Sequence, residues 1–242
     1  MEALLVVENL SKKYSENEGI ENFSFSIKKG EIVGLLGANG AGKTTTLRCI
    51  AGLYKPQKGN IKINGYQAGT EYAQKVLSFI PDTPSLYPML TVAELLQFKA
   101  KAFKIPSKKQ KQVVLSALKE VNLESYVDRP TGNLSRGQKQ RVALAAAIIQ
   151  TADLYLFDEP TVGLDIPSKQ WLSNWILKSK QDNKSIILSS HSLEFVIETA
   201  ERVILIKKGN IIAEMKIPED ETQRLLWKKD VIKQLGGHSP DD

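Results

Sequence analysis

The feature that most constrains this chain is a glycine-rich loop that lies between an apolar segment and a helix-forming one. Residues 37–45 read Gly-Ala-Asn-Gly-Ala-Gly-Lys-Thr-Thr and follow the apolar run Ile32–Leu36. Glycines allow the backbone to wrap closely around an anion, and the free N–H groups that open the next helix point towards it. Lys43 would then reach the terminal phosphates of a nucleotide, and the hydroxyl of Thr44 would hold Mg²⁺. The segment therefore predicts a phosphate-binding loop in its expected setting, between a strand and a helix.

The composition is that of a globular protein without disulfides. The 242 residues are 42% hydrophobic and 25% charged, which are ordinary values, and the apolar run at residues 142–149 is far shorter than a bilayer span. Cys49 is the single cysteine, so no disulfide can form within the chain and a buried apolar role is expected. The net charge of +6 would suit nucleic acid or an anionic surface, but the lysines are scattered over predicted solvent faces.

The hydrophobic pattern predicts an α/β architecture. Short apolar or alternating segments bounded by turn residues indicate strands at residues 4–7, 23–27, 61–63, 76–80, 154–157, 186–188, 203–206 and 211–215. Helical segments alternate with many of them around a single phosphate loop, which implies a largely parallel sheet. The earlier strands, with a tight turn at Asn64-Gly65, indicate a small antiparallel sheet attached to that core.

Helical signals dominate residues 88–150. Thr91 and Glu94 form one capping-box pattern, and Ser107 is expected to cap a Lys-rich helix. We predict a single domain over residues 1–242, in which residues 1–87 and 151–216 form the nucleotide-binding core with its β subdomain. Residues 88–150 would be an inserted helical subdomain. Residues 217–242 would hold a Lys-rich C-terminal helix at residues 219–235 and a disordered end at 239–242.

Two carboxylates follow a strand that reads as buried on both faces. Asp158 and Glu159 come directly after residues 154–157, at the end of the strand where open α/β sheets hold their ligands. Asp158 can anchor Mg²⁺ through water, and Glu159 can polarise an attacking water molecule. His191 ends the strand at residues 186–190 and would point into the same crevice, so a γ-phosphate contact is favoured over a structural role.

The segment Leu134-Ser135-Arg136-Gly137-Gln138 allows two readings. Ser135 with Gln138 three residues later is a capping box. A helix N-terminus with free N–H groups is also a phosphate site. The two roles are compatible.

Together these segments resemble the nucleotide-binding subunit of an ATP-binding cassette (ABC) transporter over residues 3–215. Residues 37–45 resemble the Walker A motif and residues 154–158 the Walker B strand, with Glu159 as the catalytic carboxylate. Residues 134–138 resemble the signature motif, residues 163–165 the D-loop, His191 the switch histidine and Tyr14 the aromatic residue that stacks on adenine. P-loop kinases and small GTPases lack the signature and the switch histidine.

The resemblance implies a fold and a set of site residues. The fold would be a P-loop NTPase (RecA-like) parallel sheet core with an antiparallel β subdomain and an inserted α-helical subdomain. Catalytic roles would fall to Lys43, Glu159 and His191, and Mg²⁺ contacts to Thr44, Asp82 and Asp158. ATP contacts would come from Tyr14, Gly37, Ala38, Asn39, Gly40, Ala41, Gly42, Lys43, Thr44, Thr45, Ser135, Gly137 and Gln138.

The resemblance also implies partners. Two such subunits, identical or different, would pack head to tail with each ATP held between Walker A of one and the signature of the other. The pair would lie on the cytoplasmic side of the membrane and drive a separate integral-membrane permease, with no nucleic acid involved. Residues 134–142 and 163–175 resemble bacterial exporter ATPases, most of all those that accompany secreted peptide toxins such as sporulation killing factor, which implies a peptide substrate.

Two positions depart from the family pattern. Arg136 stands where the signature usually has glycine, so its side chain must point away from the nucleotide. Asp82 aligns with the glutamine of the Q-loop and is one methylene shorter, which changes its reach to Mg²⁺. The alternative function is that of a soluble cassette ATPase acting on nucleic acid, ribosomes or cofactor assembly, which the pI near 9.2 leaves open.

Overall fold

The computed structural model describes residues 3–15 and 18–236 and folds them into two β-sheets with helices around the larger one. The smaller sheet is antiparallel, with strand order β2-β1-β4-β5, where β1 is Ala3–Lys13, β2 Gly19–Lys28, β4 Lys58–Ile63 and β5 Tyr66–Gln67. Asn64 and Gly65 both adopt positive φ, 49° and 79°, which is the conformation that a two-residue hairpin turn requires. The predicted antiparallel sheet and its turn are present.

The larger sheet has six strands in the order β10-β9-β3-β8-β7-β6. Its members are β3 Ile32–Leu36, β6 Leu77–Ile80, β7 Leu154–Asp158, β8 Ser185–Ser190, β9 Arg202–Lys207 and β10 Asn210–Lys216. All neighbours pair in parallel except β10 with β9. Because parallel neighbours end at the same edge, the loops that follow β3, β6, β7 and β8 meet there.

The large sheet divides the hydrophobic core into two parts, as the side chains of β3 show. Alternate side chains on a strand point to opposite faces of its sheet, so Ile32 and Leu36 join the cluster on the helical side. Val33 and Leu35 join the cluster between the two sheets. Cys49 is buried in that second cluster, as the sequence predicts.

Eight α-helices lie among the described residues: α1 Lys43–Ile50, α2 Glu71–Val76, α3 Val92–Ala102, α4 Ser107–Glu120, α5 Arg136–Gln150, α6 Ile166–Gln181, α7 Leu193–Thr199 and α8 Glu221–Leu235. Helices α3, α4 and α5 pack against one another, and we propose that they are the body of the inserted subdomain at residues 88–150. Both predicted capping boxes are formed, at Thr91 with Glu94 and at Ser135 with Gln138.

Several element assignments made from the sequence are wrong in detail. Val76 ends helix α2, which the sequence did not indicate, and the strand begins at Leu77. Ser107 is the first residue of α4 and makes no cap hydrogen bond, because Pro106 occupies the N-cap position. The C-terminal helix starts at Glu221, where the N-cap Asp220 accepts a hydrogen bond from the Gln223 N–H, and not at residue 219. The predicted disorder at residues 239–242 lies outside the described residues.

In the part of the chain that the structure describes, no helix is both long enough and apolar enough to cross a membrane.

Candidate nucleotide site

The glycine-rich loop is packed on its inner side and open on its outer side. A Cβ atom on Gly37 would collide with the carbonyl oxygen of Ile206, so only glycine fits there. Gly42, with φ of 113°, is the N-cap of α1 and packs against Ile20. Residues 38–40 at the outer edge are exposed. The loop therefore presents its backbone to solvent at the start of a helix, where an anion is stabilised.

Lys43 is buried beneath this loop, with 5% of its side chain exposed. Its ammonium donates to the carbonyl oxygen of Gly37 at 2.7 Å and to that of Ala38 at 3.3 Å. The same nitrogen lies 3.1 Å from Oε1 of Glu159. The loop carbonyls hold the cation at the floor of the site, and Glu159 is its anionic partner.

Thr44 and Asp158 meet across the end of the sheet. The Thr44 hydroxyl donates to Oδ1 of Asp158 at 2.9 Å, and the Ser189 hydroxyl donates to the same oxygen at 2.7 Å. Burial raises the pKa of Asp158, and the negative charge of Asp82 adds to that effect. The hydrogen bonds from Ser189 and Thr44 act in the opposite direction, as does the charge of Arg48.

Glu159 is held between Lys43 and His191. Its Oε2 lies 2.9 Å from Nδ1 of His191 and accepts a hydrogen bond from the His191 backbone N–H at 3.3 Å. Its Oε1 is buried and, among the described residues, receives no hydrogen bond, since its contact with Lys43 is an ion pair without hydrogen-bond geometry. The residue adopts φ of 45°, a left-handed conformation that is uncommon for glutamate. One oxygen of its carboxylate is therefore bonded to His191, and the other contacts the Lys43 ammonium.

The start of α5 lies apart from this cluster. Ser135 Oγ accepts from the Gln138 N–H at 3.3 Å, and Gln138 Oε1 accepts from the Ser135 N–H at 2.9 Å. Ser135 is exposed, whereas Gly137 and Gln138 are half-buried. Within the described residues, no hydrogen bond or ion pair joins Ser135 or Gln138 to the glycine-rich loop. The structure thus brings together the predicted core residues and leaves the predicted signature residues outside that group.

Tyr14 and Asp82 occupy the margins. Tyr14 is 54% exposed, and its ring meets the ring of Tyr54 edge to face at a centroid distance of 6.2 Å. Asp82 is exposed and close enough to Asp158 to influence its pKa. Asp82 therefore lies near the predicted magnesium residues, whereas the described aromatic contact of Tyr14 is with Tyr54.

Sequence reasoning missed two contributors to the site. Ser189 donates to Asp158 and accepts from the Glu159 N–H at 3.0 Å. The signal was available, because parallel strands β7 and β8 bring residue 158 opposite residue 189. Arg136 was expected only to point away from nucleotide, whereas its guanidinium donates to the carbonyl oxygen of Asp82 at 3.1 Å.

Comparison with known proteins identifies the family. The family model described as ABC transporter matches residues 20–162. The chain is also 55% identical to the SkfA peptide export ATP-binding protein SkfE of Bacillus subtilis (strain 168), over 98% of this chain and 99% of that protein. The chain belongs to the ABC transporter ATP-binding family. It is the ATP-binding subunit of an ABC transporter and an ATPase that hydrolyses ATP to power transport.

Further relatives and solved structures agree with this ABC assignment. The ABC transporter ATP-binding protein NatA of the same Bacillus strain is 34% identical over 86% of this chain and 88% of its own length. The structure of an ATP-binding subunit of an ABC transporter superposes with a TM-score of 0.81 at 32% identity, covering 98% of this chain and 96% of that one.

A dimeric, post-hydrolysis structure of the ATP-binding cassette MJ0796 bound to ADP and Pi has a TM-score of 0.80 at 27% identity, covering 89% and 100% of the two chains. The predicted P-loop NTPase fold is confirmed. ATP-binding subunits of this family act as dimers with separate membrane components.

Proposed function

We propose that this ABC subunit powers the export of a peptide through a separate permease, from the cytoplasmic side of the membrane. The observation that carries the proposal is its 55% identity, over nearly the full length of both chains, to a protein named for SkfA peptide export. No insertion or missing segment of any size separates the two proteins, because 98% and 99% of their lengths align. The substrate class is therefore proposed to be shared.

The site geometry supports a division of roles within one subunit. Lys43 would bind the β- and γ-phosphates by exchanging its contact with Glu159 for phosphate oxygens, as a buried lysine in such a loop can. Once Lys43 contacts the phosphates instead, Oε1 of Glu159 would take a proton from the attacking water, while His191 fixes the other oxygen of that carboxylate. His191 would also contact the γ-phosphate. Tyr14 would stack on the adenine ring.

The residues present fit a magnesium ion. Thr44 Oγ1 and Asp158 Oδ1 are hard oxygen donors 2.9 Å apart, and Asp82 adds a carboxylate nearby. No group of three or more His, Cys, Asp or Glu side chains in the described part of the chain is placed to hold a metal ion alone, so phosphate oxygens would complete the coordination. When bound, the ion would neutralise charge that develops on the phosphates.

Residues at the start of α5 would serve the partner's nucleotide. Ser135 is exposed and opens a helix whose first N–H groups can bind an anion. We propose that Ser135, Gly137 and Gln138 contact the ATP that lies on the loop of a second subunit. The subunit composition of the purified transporter would show whether that subunit is a second copy or a different chain.

A groove beside this helix fits a permease segment. It has a volume of about 500 Å³, and its lining, which is apolar and polar, includes Leu95 of α3, Phe103 just after that helix and Ala143 of α5. Tyr87 and Met89 on the preceding segment are 55% and 89% exposed. Exposed apolar side chains of this size indicate a surface that a partner covers.

The decisive experiment measures ATP hydrolysis in vesicles that contain this subunit and the native permease with which it co-purifies. A secreted peptide that is the substrate should raise the rate severalfold, and Glu159→Gln should abolish the rise. If the vesicles hydrolyse ATP but no candidate peptide changes the rate or enters the vesicles, the ATPase assignment stands and the peptide assignment is wrong. Salt-sensitive binding to RNA or ribosomes would instead favour the soluble alternative, which the transporter relatives named above do not favour.

A further inference from the structure

We propose that Arg136 is a positioning residue that fixes the start of α5 against two loops of the core. Arg136 is the first residue of the helix, between Ser135 and Gly137. Its side chain leaves the helix and reaches segments 54 and 27 residues away in sequence, at Asp82 and Gly163. It therefore joins the helical segment to the core at a point where the chain supplies no covalent link.

The first contact is a hydrogen bond to the loop after β6. Nη2 of Arg136 donates to the carbonyl oxygen of Asp82 at 3.1 Å. The loop is anchored in the large sheet, because Ile80 pairs with Phe157 beside the Asp158 strand end. A charge-assisted hydrogen bond to a backbone oxygen does not depend on the side chain at position 82. Arg136 is thus bonded to the backbone at the edge of the large sheet.

The second contact is close packing on the turn before α6. A Cβ atom on Gly163 would lie 2.9 Å from Cδ and 3.2 Å from Nε of Arg136. Gly163 has φ of 71°, so glycine is favoured there both by the backbone conformation and by the space that Arg136 fills. The aliphatic part of the Arg136 side chain packs on the turn at Gly163, and its guanidinium donates to the loop at Asp82.

Gly137 is fitted against the same region. A Cβ atom on Gly137 would lie 3.3 Å from Ser168 Oγ and 3.4 Å from a Leu164 methyl carbon. Leu164, which follows Gly163, and Ser168, in the first turn of α6, therefore pack against the helix start that Arg136 also fixes. These contacts orient Ser135 and Gly137, the residues proposed to meet the partner's ATP. The consequence for dimer formation therefore rests on the proposed function, whereas the tether itself does not.

The tether is tested in the isolated subunit without nucleotide. Spin labels at Lys62→Cys in β4 and Lys111→Cys in α4, in a Cys49→Ala background, report the distance between the core and the helical segment. Arg136→Ala should broaden the distance distribution, and Arg136→Lys should narrow it again in part, because an ammonium can donate to Asp82 but cannot cover both loops. Lys139→Ala, which removes a charge from the same helix, is the matched control and should leave the distribution unchanged.

The functional consequence is tested by ATP-dependent dimerisation in a Glu159→Gln background. Arg136→Ala should raise the ATP concentration at half-maximal dimerisation about three- to tenfold, the range expected for one exposed charge-assisted hydrogen bond. ATP affinity of the monomer and the melting temperature should stay near the parent values, which separates lost positioning from lost folding.

Two outcomes would overturn the proposal. The first is a distance distribution for Arg136→Ala that matches the parent. The second is a broadened distribution with equal broadening in Lys139→Ala, since that would assign the effect to charge on the helix rather than to the tether. If the distribution broadens as expected but no ATP-dependent dimer forms in any variant, the tether stands and the proposed two-subunit site is wrong.

Discussion

The two parts of the proposed nucleotide site differ in how much of their bonding is completed within one chain. On the core side, Lys43, Asp158 and Glu159 are largely buried, Lys43 forms an ion pair with Glu159, and Asp158 accepts hydrogen bonds from Thr44 and Ser189. On the helix side, Ser135 is exposed, and within the described residues its side chain bonds only to the Gln138 N–H of its own capping box. We therefore propose that the core side binds a triphosphate within a single subunit. The capping box on the helix side is complete without a ligand, and the ATP that it contacts would be carried by another subunit.

The largest effect is expected for Glu159→Gln. This variant tests whether ATP that is not hydrolysed holds the core side of one subunit to the helix side of another. The amide cannot accept the water proton, so kcat should fall about a hundredfold to ten-thousandfold, the usual contribution of a general base. ATP binding should persist, and gel filtration with ATP and Mg²⁺ should show a stable dimer. Hydrolysis at the parent rate would mean that Glu159 is not the base.

Lys43→Ala should produce the next largest effect and should be confined to the core side. Loss of one partner from a buried charged contact costs about 2–5 kcal/mol, so ATP affinity measured by titration calorimetry should fall about thirtyfold or more. Lys178→Ala, on the exposed face of α6, is the control and should bind ATP like the parent. Equal affinity in Lys43→Ala and the parent would remove Lys43 from the site.

A smaller effect is expected for Ser135→Ala, and it should separate the two sides. The lost cap costs roughly 0.5–2 kcal/mol of stability, and ATP-dependent dimerisation should need a higher ATP concentration. Binding of ATP to the monomer should not change. A fall in monomer affinity as deep as that of Lys43→Ala would contradict the division between the two sides.

The smallest effect concerns Cys49, which reports how tightly the core side is packed. Burial raises the pKa of its thiol to about 11, so the thiol is protonated in the folded chain at pH 8 and should alkylate slowly with iodoacetamide. Since the pKa of the thiol in the folded chain lies above its ordinary value, the thiol contributes fully to the free energy of unfolding below about pH 9. That contribution is lost as pH rises towards 11. Urea should accelerate alkylation strongly, and Cys49→Ala should reduce the fall in the free energy of unfolding at alkaline pH. Rapid labelling of the folded chain would contradict the tight packing.

Local signals in the sequence predicted most of the core side. The glycine loop, the carboxylates after β7 and the histidine after β8 all follow buried strands whose parallel arrangement sends them to one edge. The short helix α2 was not predicted, because six residues carry too little periodicity and Val76 adjoins the apolar strand β6. Its start depends on Thr70, whose hydroxyl accepts from the Ala73 N–H.

Contacts between distant segments were beyond the sequence patterns. The hydrogen bond from Arg136 to Asp82 depends on how a helix is seated against the end of a sheet, and no spacing rule gives that. The left-handed backbone at Glu159 is similarly set by its surroundings, because its N–H is held by Ser189 while the chain turns out of the sheet. Motif spacing predicts which residues belong to such a site, but tertiary packing determines which of them are in contact.

The ion pair between Lys43 and Glu159 would couple nucleotide binding to activation of the base. In the proposed roles, phosphate oxygens would replace Glu159 as the partner of the Lys43 ammonium. The Glu159 carboxylate would then be able to accept a proton from the water that attacks the γ-phosphate, so that one contact would control both steps.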